Sequence, residues 1–148
     1  IDASASVLET AAEGAPIEVT LEGSGTFPVG RRPRAVWIGV TEGRSELIEL
    51  ASRLNERLAK AGWPTDERPV SPHLTLARSD GLATGSLVAG RLAAAMTDRR
   101  FSFTADTLGL FESVTGGGPA RYVGIASGEL GCPLDRTRVY HQPVPDQY

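Results

Sequence analysis

Two histidines, His73 and His141, and one cysteine, Cys132, are the groups of this 148-residue chain best suited to proton transfer or nucleophilic attack. His73 lies in Ser71-Pro72-His73-Leu74-Thr75-Leu76-Ala77-Arg78. An imidazole titrates close to neutrality, so it can take a proton from water or return one to a leaving oxygen. On a β-strand, His73 and Thr75 point to one face and Leu74 and Leu76 to the other. The two polar groups are then about 6.6 Å apart along the backbone. With the leucines anchored in the core, such a strand is a rigid platform that aims a proton carrier and a hydroxyl at one phosphate. Taken alone, a His-x-Thr is more often the incidental polar face of a strand.

Other groups carry weaker signals. If the strand is regular, Arg78 points with the leucines, away from His73; a contact with substrate in a cleft and a plain surface role are both open. Arg31, Arg32 and Arg34 form a basic loop that reads as solvated. Tyr122 and Trp37 fit core packing better than stacking on a base, although either ring can stack. Gly116-Gly117-Gly118 reads as a hairpin turn, with no lysine or following helix to make it a phosphate loop. With one cysteine, and histidines far apart in sequence, no metal site and no cofactor are expected.

The elements that must position these groups follow from periodicity. Ile17, Val19 and Leu21 alternate with Glu18 and Thr20, a half-buried strand. Gly23-Ser24-Gly25 and Pro28 mark a turn or bulge. Ala35 to Val40 is nearly continuous apolar sequence, the pattern of a strand covered on both faces. Leu47, Leu50, Ala51, Leu54 and Leu58 recur at helical spacing, with Ser45 as a cap, Glu49–Arg53 and Glu56–Lys60 as supporting pairs, and Gly62 and Pro64 as the stop. The His73 strand comes next. A second helix from about Ser86 to Met96 has Leu87, Val88, Leu92 and Ala95 on its apolar side. One alternating run goes from Phe101 to Glu112, and Tyr122 to Ala126 returns as its hairpin partner. The order β-β-α-β-α-β-β is α+β with mainly antiparallel sheet. Residues 1–130 read as one domain portion, and 131–148 as an extended or disordered tail.

Composition narrows the partners. Hydrophobic residues make up 41% and charged residues 22%, ordinary values for a globular chain. The net charge of −3 argues against wrapping a long nucleic acid, but not against reading one nucleotide or one RNA end. Lys60 is the only lysine, so nearly all positive charge is arginine. No apolar run approaches the roughly 20 residues of a membrane helix, and the first residues do not have the form of a signal peptide. The lone cysteine leans cytosolic, and the expected localisation is cytoplasmic with no membrane partner.

The segment Ser71 to Arg78 resembles the second His-x-Thr-x motif of the two-histidine (2H) phosphoesterases, in particular the RNA 2′,3′-cyclic phosphodiesterases, historically called 2′-5′ RNA ligases. The resemblance extends to Gly25-Thr26-Phe27-Pro28 and Pro33-Arg34-Ala35-Val36-Trp37-Ile38-Gly39-Val40. It continues through the helix Glu46 to Lys60, Leu108-Gly109-Leu110-Phe111-Glu112-Ser113, and Gly117-Gly118-Pro119-Ala120-Arg121-Tyr122. It covers about residues 17 to 130. It implies a bilobal, pseudo-symmetric α+β fold with antiparallel sheets and helices outside, and a metal-independent hydrolysis of 2′,3′-cyclic phosphate at RNA ends to a 2′-phosphomonoester. The implied roles are proton acceptor for His73 and phosphate anchor for Thr75, with Arg78 and Tyr122 as substrate contacts. The implied partner is an RNA with a cyclic-phosphate end, or a cyclic nucleotide, met by a protein that is monomeric when complete.

The sequence departs from the family at one point. No second His-x-Thr occurs; His141, in Tyr140-His141-Gln142-Pro143, lacks the threonine. Since the chain does not begin with methionine, the expectation is that the N-terminal motif belongs to a missing beginning, and that these residues alone are inactive. The alternative is a non-catalytic module of the same fold that binds an RNA end or nucleotide. Both the hydrolase and the module leave the role of the 131–148 tail open.

Overall fold

A computed structural model describes residues 3–29, 32–79, 83–117, 120–132 and 138–139. The elements are α1 (Ala3–Ala12), β1 (Ile17–Phe27), β2 (Ala35–Val40), α2 (Arg44–Lys60), β3 (His73–Arg78), α3 (Ala83–Met96), β4 (Arg100–Ala105), β5 (Thr107–Val114), β6 (Arg121–Glu129) and β7 (Arg138–Val139). They divide into two compact units. Helices pack on antiparallel sheets, as the α+β reading requires. No helix among the described residues is long and apolar enough to cross a membrane.

The unit formed by Ile17–Ile48 and Pro69–Thr104 carries a four-stranded sheet in the order β3-β2-β1-β4. Its core side is the alternation of Val19 and Leu21 with Val36, Ile38 and Val40, all buried. β2 alternates between buried Val36, Ile38 and Val40 and half-buried Ala35, Trp37 and Gly39. It is therefore covered on one face and open on the other, not covered on both. The glycines of β1 make a bulge, not a turn: the register with β2 shifts between Leu21 and Ser24, where Gly23 takes φ +74°. The bulge turns Ser24 inward, and its hydroxyl donates to the carbonyl of Ala93 on α3 at 2.5 Å. On α3 the buried residue is Ala89, with Leu92 half-buried. Leu87, Val88 and Ala95, expected on the apolar side, are exposed. An alanine-rich helix has several apolar stripes, and the small one gives the closest approach to the sheet.

The other unit comprises Ile1–Pro16, Glu49–Arg68 and Ala105–Tyr148. Its sheet runs β5-β6-β7. The run read as one strand from Phe101 to Glu112 is two strands, β4 and β5, which break at Asp106 and enter different sheets. The Asp106 carbonyl accepts from the Leu130 amide at 2.7 Å. Within the segment read as a tail, Arg138–Val139 pairs with β6. Residues 133–137 and 140–148 lie outside the described residues, as do Arg31, Gly118, Pro119 and His141.

Sequence periodicity did not reveal α1. Its buried face is Ala3, Ser4, Ser6, Val7, Thr10 and Ala11, mostly small residues. They fit against Gly128 of β6, where an added Cβ would lie 2.9 Å from the Ala11 Cβ. The expected apolar stripe of α2 is its least exposed face, with Leu50 buried. The helix begins at Arg44, so Ser45 lies inside the first turn; Gly43 precedes it and accepts from the Leu47 amide. It ends as Gly62 and Pro64 suggested. The Trp63 amide reaches the Leu58 carbonyl, the Gly62 amide reaches the Ala59 carbonyl, and Gly62 takes φ +85°.

Arg53 and Arg57 of α2 turn to α1 and the residues after it. Arg53 donates to the Glu13 carbonyl, and Arg57 pairs with both Glu9 and Glu13. The Arg57 hydrogen bond and charge hold the Glu13 carboxyl below its ordinary range. A depressed carboxylate pKa stabilises the fold above the unfolded value, near 4.5, and that contribution fades as pH falls toward the lowered value. Amide exchange in α1 is therefore expected to accelerate as pH drops below about 4.5 relative to the rest of the unit, and Arg57→Gln should remove that pH dependence. An α1 whose relative protection is flat with pH in the unchanged chain would contradict this.

Candidate active site

β3 pairs antiparallel with β2, placing His73 opposite Gly39, Leu74 opposite Ile38 and Thr75 opposite Trp37. His73 and Thr75 thus share the open face with Trp37, and Leu74 lies on the core side. The leucine anchor is looser than expected, because β3 is an edge strand: Leu74 is 49% exposed and Leu76 half-buried.

The register then shifts. Val36 faces Ala77 and Ala35 faces Arg78, leaving Leu76 with no residue opposite. This extra residue is a β-bulge. It swaps the faces of everything after it, so Arg78 lies on the His73 face and not with the leucines. His73, Thr75 and Arg78 line one pocket of about 330 Å³ with Phe27, Ala35, Trp37 and Ser71.

The ring orientation of His73 is fixed by its neighbour Ser71. Nδ1 lies 2.7 Å from the Ser71 carbonyl oxygen. A carbonyl only accepts, so Nδ1 carries the proton and donates it. Neutral His73 therefore has its lone pair on Nε2, the nitrogen able to take a proton from a nucleophile. Trp37 meets the imidazole edge-on, with ring centroids 6.4 Å apart and planes at 66°. This is the role Trp37 plays: it flanks the pocket, half-buried, instead of filling the core.

Trp37 can lie there because residue 25 is glycine. Gly25 is opposite Trp37 in the ladder, and a Cβ on it would fall under 3.0 Å from three carbons of the indole. Gly25→Val is expected to displace the indole at a cost of about 1–3 kcal/mol. The His73 ring resonances should shift as the indole leaves, and Trp37 emission should move to the red in a Trp63→Phe background. Unchanged His73 resonances would refute the displacement.

The remaining site expectations divide as follows. Tyr122 is on β6 of the other unit, opposite Ser113, and is 63% exposed, so it is a surface ring and not a core one. Arg32 and Arg34 are exposed. The Arg34 carbonyl accepts from the Ser79 amide and the Pro33 carbonyl from the Ser79 hydroxyl, which ties that loop to the end of β3. Among the described residues no three His, Cys, Asp or Glu side chains gather as a metal would need. The sequence reading missed Phe27, 70% exposed at the pocket rim, and the Ser71 carbonyl. The Phe-Pro step closing β1 was a signal for the first; a backbone acceptor leaves none.

A family model described as the 2′-5′ RNA ligase superfamily matches residues 2–117. The chain belongs to this superfamily. Its relatives in the superfamily include the RNA 2′,3′-cyclic phosphodiesterase of Aquifex aeolicus, 37% identical over 71 residues. That alignment takes in 47% of this chain and 38% of the relative, so the chain matches well under half of its length. Among solved structures, TT0787 of Thermus thermophilus has the same fold, with a TM-score of 0.66 at 21% identity over 86% of this chain and 67% of that one. E. coli LigT, solved in complex with 3′-AMP, has a TM-score of 0.57 at 25% identity over 82% of this chain and 65% of that one. The 2H phosphoesterase fold implied by the motifs is therefore the fold of this superfamily member.

Proposed function

We propose that this chain carries the proton-accepting half of a metal-independent site that hydrolyses 2′,3′-cyclic phosphate at RNA ends. The observation that carries the reading is the His73 ring: its Nδ1–H is committed to the Ser71 carbonyl, and its Nε2 is free on the open face beside Thr75. The curated relative's name and the 3′-AMP complex of LigT support the substrate class.

In this reading Nε2 of His73 takes a proton from water as the water oxygen bonds to phosphorus. The bond from phosphorus to the 3′ oxygen breaks, and that oxygen must be protonated as it leaves. The product is a 2′-phosphomonoester with a free 3′ hydroxyl. Thr75 donates to a non-bridging oxygen, and Arg78 contacts the RNA. The 148 residues contain one His-x-Thr, so the donor for the leaving oxygen has no counterpart of that type in them. Hydrolysis by these residues alone is expected to stay near background, whereas the intact gene product should turn over.

The test is the phosphorus NMR spectrum of adenosine 2′,3′-cyclic phosphate after incubation with the intact gene product, with and without EDTA. The expected spectrum contains the 2′-phosphate alone and is unaffected by the chelator. A 3′-phosphate product, or loss of turnover in EDTA, would refute the mechanism; binding without turnover would leave only a nucleotide-binding module.

A further inference from the structure

The bulge in β3 sets a spacing as well as a direction. Thr75 and Arg78 are three residues apart on β3, but they face Trp37 and Ala35, which are two residues apart on β2. Their backbone positions are therefore about 6.6 Å apart on the open face, a separation of the order of that between neighbouring phosphates on an extended strand. The other arginines with ion pairs have acidic partners: Arg57 has Glu9 and Glu13, Arg68 has Asp66, and Arg100 has Glu22 and Glu42. The Arg78 guanidinium has no ion pair or side-chain hydrogen bond among the described residues. It is exposed, and it lines the same pocket as His73 and Thr75.

We infer that Arg78 binds the phosphodiester one nucleotide upstream of the cyclic phosphate, so that the site distinguishes an RNA end from a free cyclic mononucleotide. This rests on the reading in which His73 and Thr75 hold the cyclic phosphate. Those two groups occupy the first position along the strand, and the guanidinium occupies the next. A planar, permanently charged fork is suited to the paired oxygens of a diester. Among the described residues Arg78 is the only permanent cation lining this pocket, and it lies one strand repeat beyond Thr75, so removing it should cost a mononucleotide less than a dinucleotide.

The test uses three probes: adenosine 2′,3′-cyclic phosphate, an ApA dinucleotide ending in 2′,3′-cyclic phosphate, and the same dinucleotide with a neutral methylphosphonate in place of the internal phosphodiester. The third probe keeps the extra base and removes only the charge. Binding is measured by calorimetry to the chain and to its Arg78→Ala and Arg78→Lys variants. The unchanged chain is expected to prefer the charged over the neutral dinucleotide by roughly three- to tenfold. Its log K against log salt should be steeper by about 0.7 for the charged one. Arg78→Ala should abolish both differences and weaken the charged dinucleotide more than the mononucleotide, and Arg78→Lys should keep part of the preference. Equal affinity of the unchanged chain for both dinucleotides would overturn the inference. So would an Arg78→Ala loss shared equally by the mononucleotide, which would put Arg78 on the cyclic phosphate. If the unchanged chain binds none of the three probes, the proposed function falls with it. Binding of the mononucleotide without preference between dinucleotides refutes only the Arg78 assignment.

Discussion

His73→Ala in the intact gene product is expected to lower cyclic-phosphate hydrolysis by about 10²–10⁴-fold. The magnitude is that of one positioned proton transfer. The side chain is exposed on an edge strand, so its loss leaves the core untouched and folding should be unaffected. Thr75 and Arg78 remain in the pocket, so substrate affinity should change far less than turnover. His73→Asn separates two contributions. Its amide can still donate to the Ser71 carbonyl, which preserves the local backbone, but it has no basic nitrogen at the position of Nε2. It should be as inactive as the alanine variant. If either variant retains activity within tenfold of the unchanged protein, His73 is not the proton acceptor.

The largest effect on stability is expected from Ile38→Ala. Ile38 is 1% exposed at the middle of β2, between β1 and β3, with Ser24 and Leu74 opposite it. Removing it deletes three carbons from the core side of the strand that holds Trp37. A loss of about 2–5 kcal/mol is expected, at the upper end if the sheet does not relax into the cavity. Urea unfolding followed by Trp37 emission in a Trp63→Phe background reads this unit, because Trp63 belongs to the other one. A loss below about 1 kcal/mol would mean that neighbouring side chains had refilled the space.

The site was legible in the sequence where it depends on alternation. His73, Thr75 and Leu74 follow the two-residue period, and their faces came out as read; β2, whose near-continuous apolar run read as covered on both faces, buries only Val36, Ile38 and Val40. Arg78 did not come out as read, because the bulge at Leu76 is invisible in Leu74-Thr75-Leu76-Ala77: each residue there is acceptable on either face. The break at Asp106 did leave a trace that the reading of one continuous run passed over: the alternating positions are odd through Ala105 and even from Leu108, so the two-residue period slips where the two halves enter different sheets. Helix α1 was missed because its buried face is made of alanine, serine and threonine around Val7, with no large apolar residues to set a period. On α3 the large apolar residues were visible, but contact with the sheet selected Ala89.

The unpaired Leu76 makes the site depend on how many residues separate Thr75 from Arg78, and not only on which residues they are. Exchanging Leu76 for valine, isoleucine or methionine keeps the count odd or even as it was, and the arginine stays where it is. Deleting its codon would leave Thr75 and the arginine two residues apart on a regular strand, and the guanidinium would keep its face. Losing the bulge with the residue count unchanged would instead send it to the far side of the sheet. A one-residue gap here is therefore the milder change, and a change of backbone that identity scores do not record is the severe one.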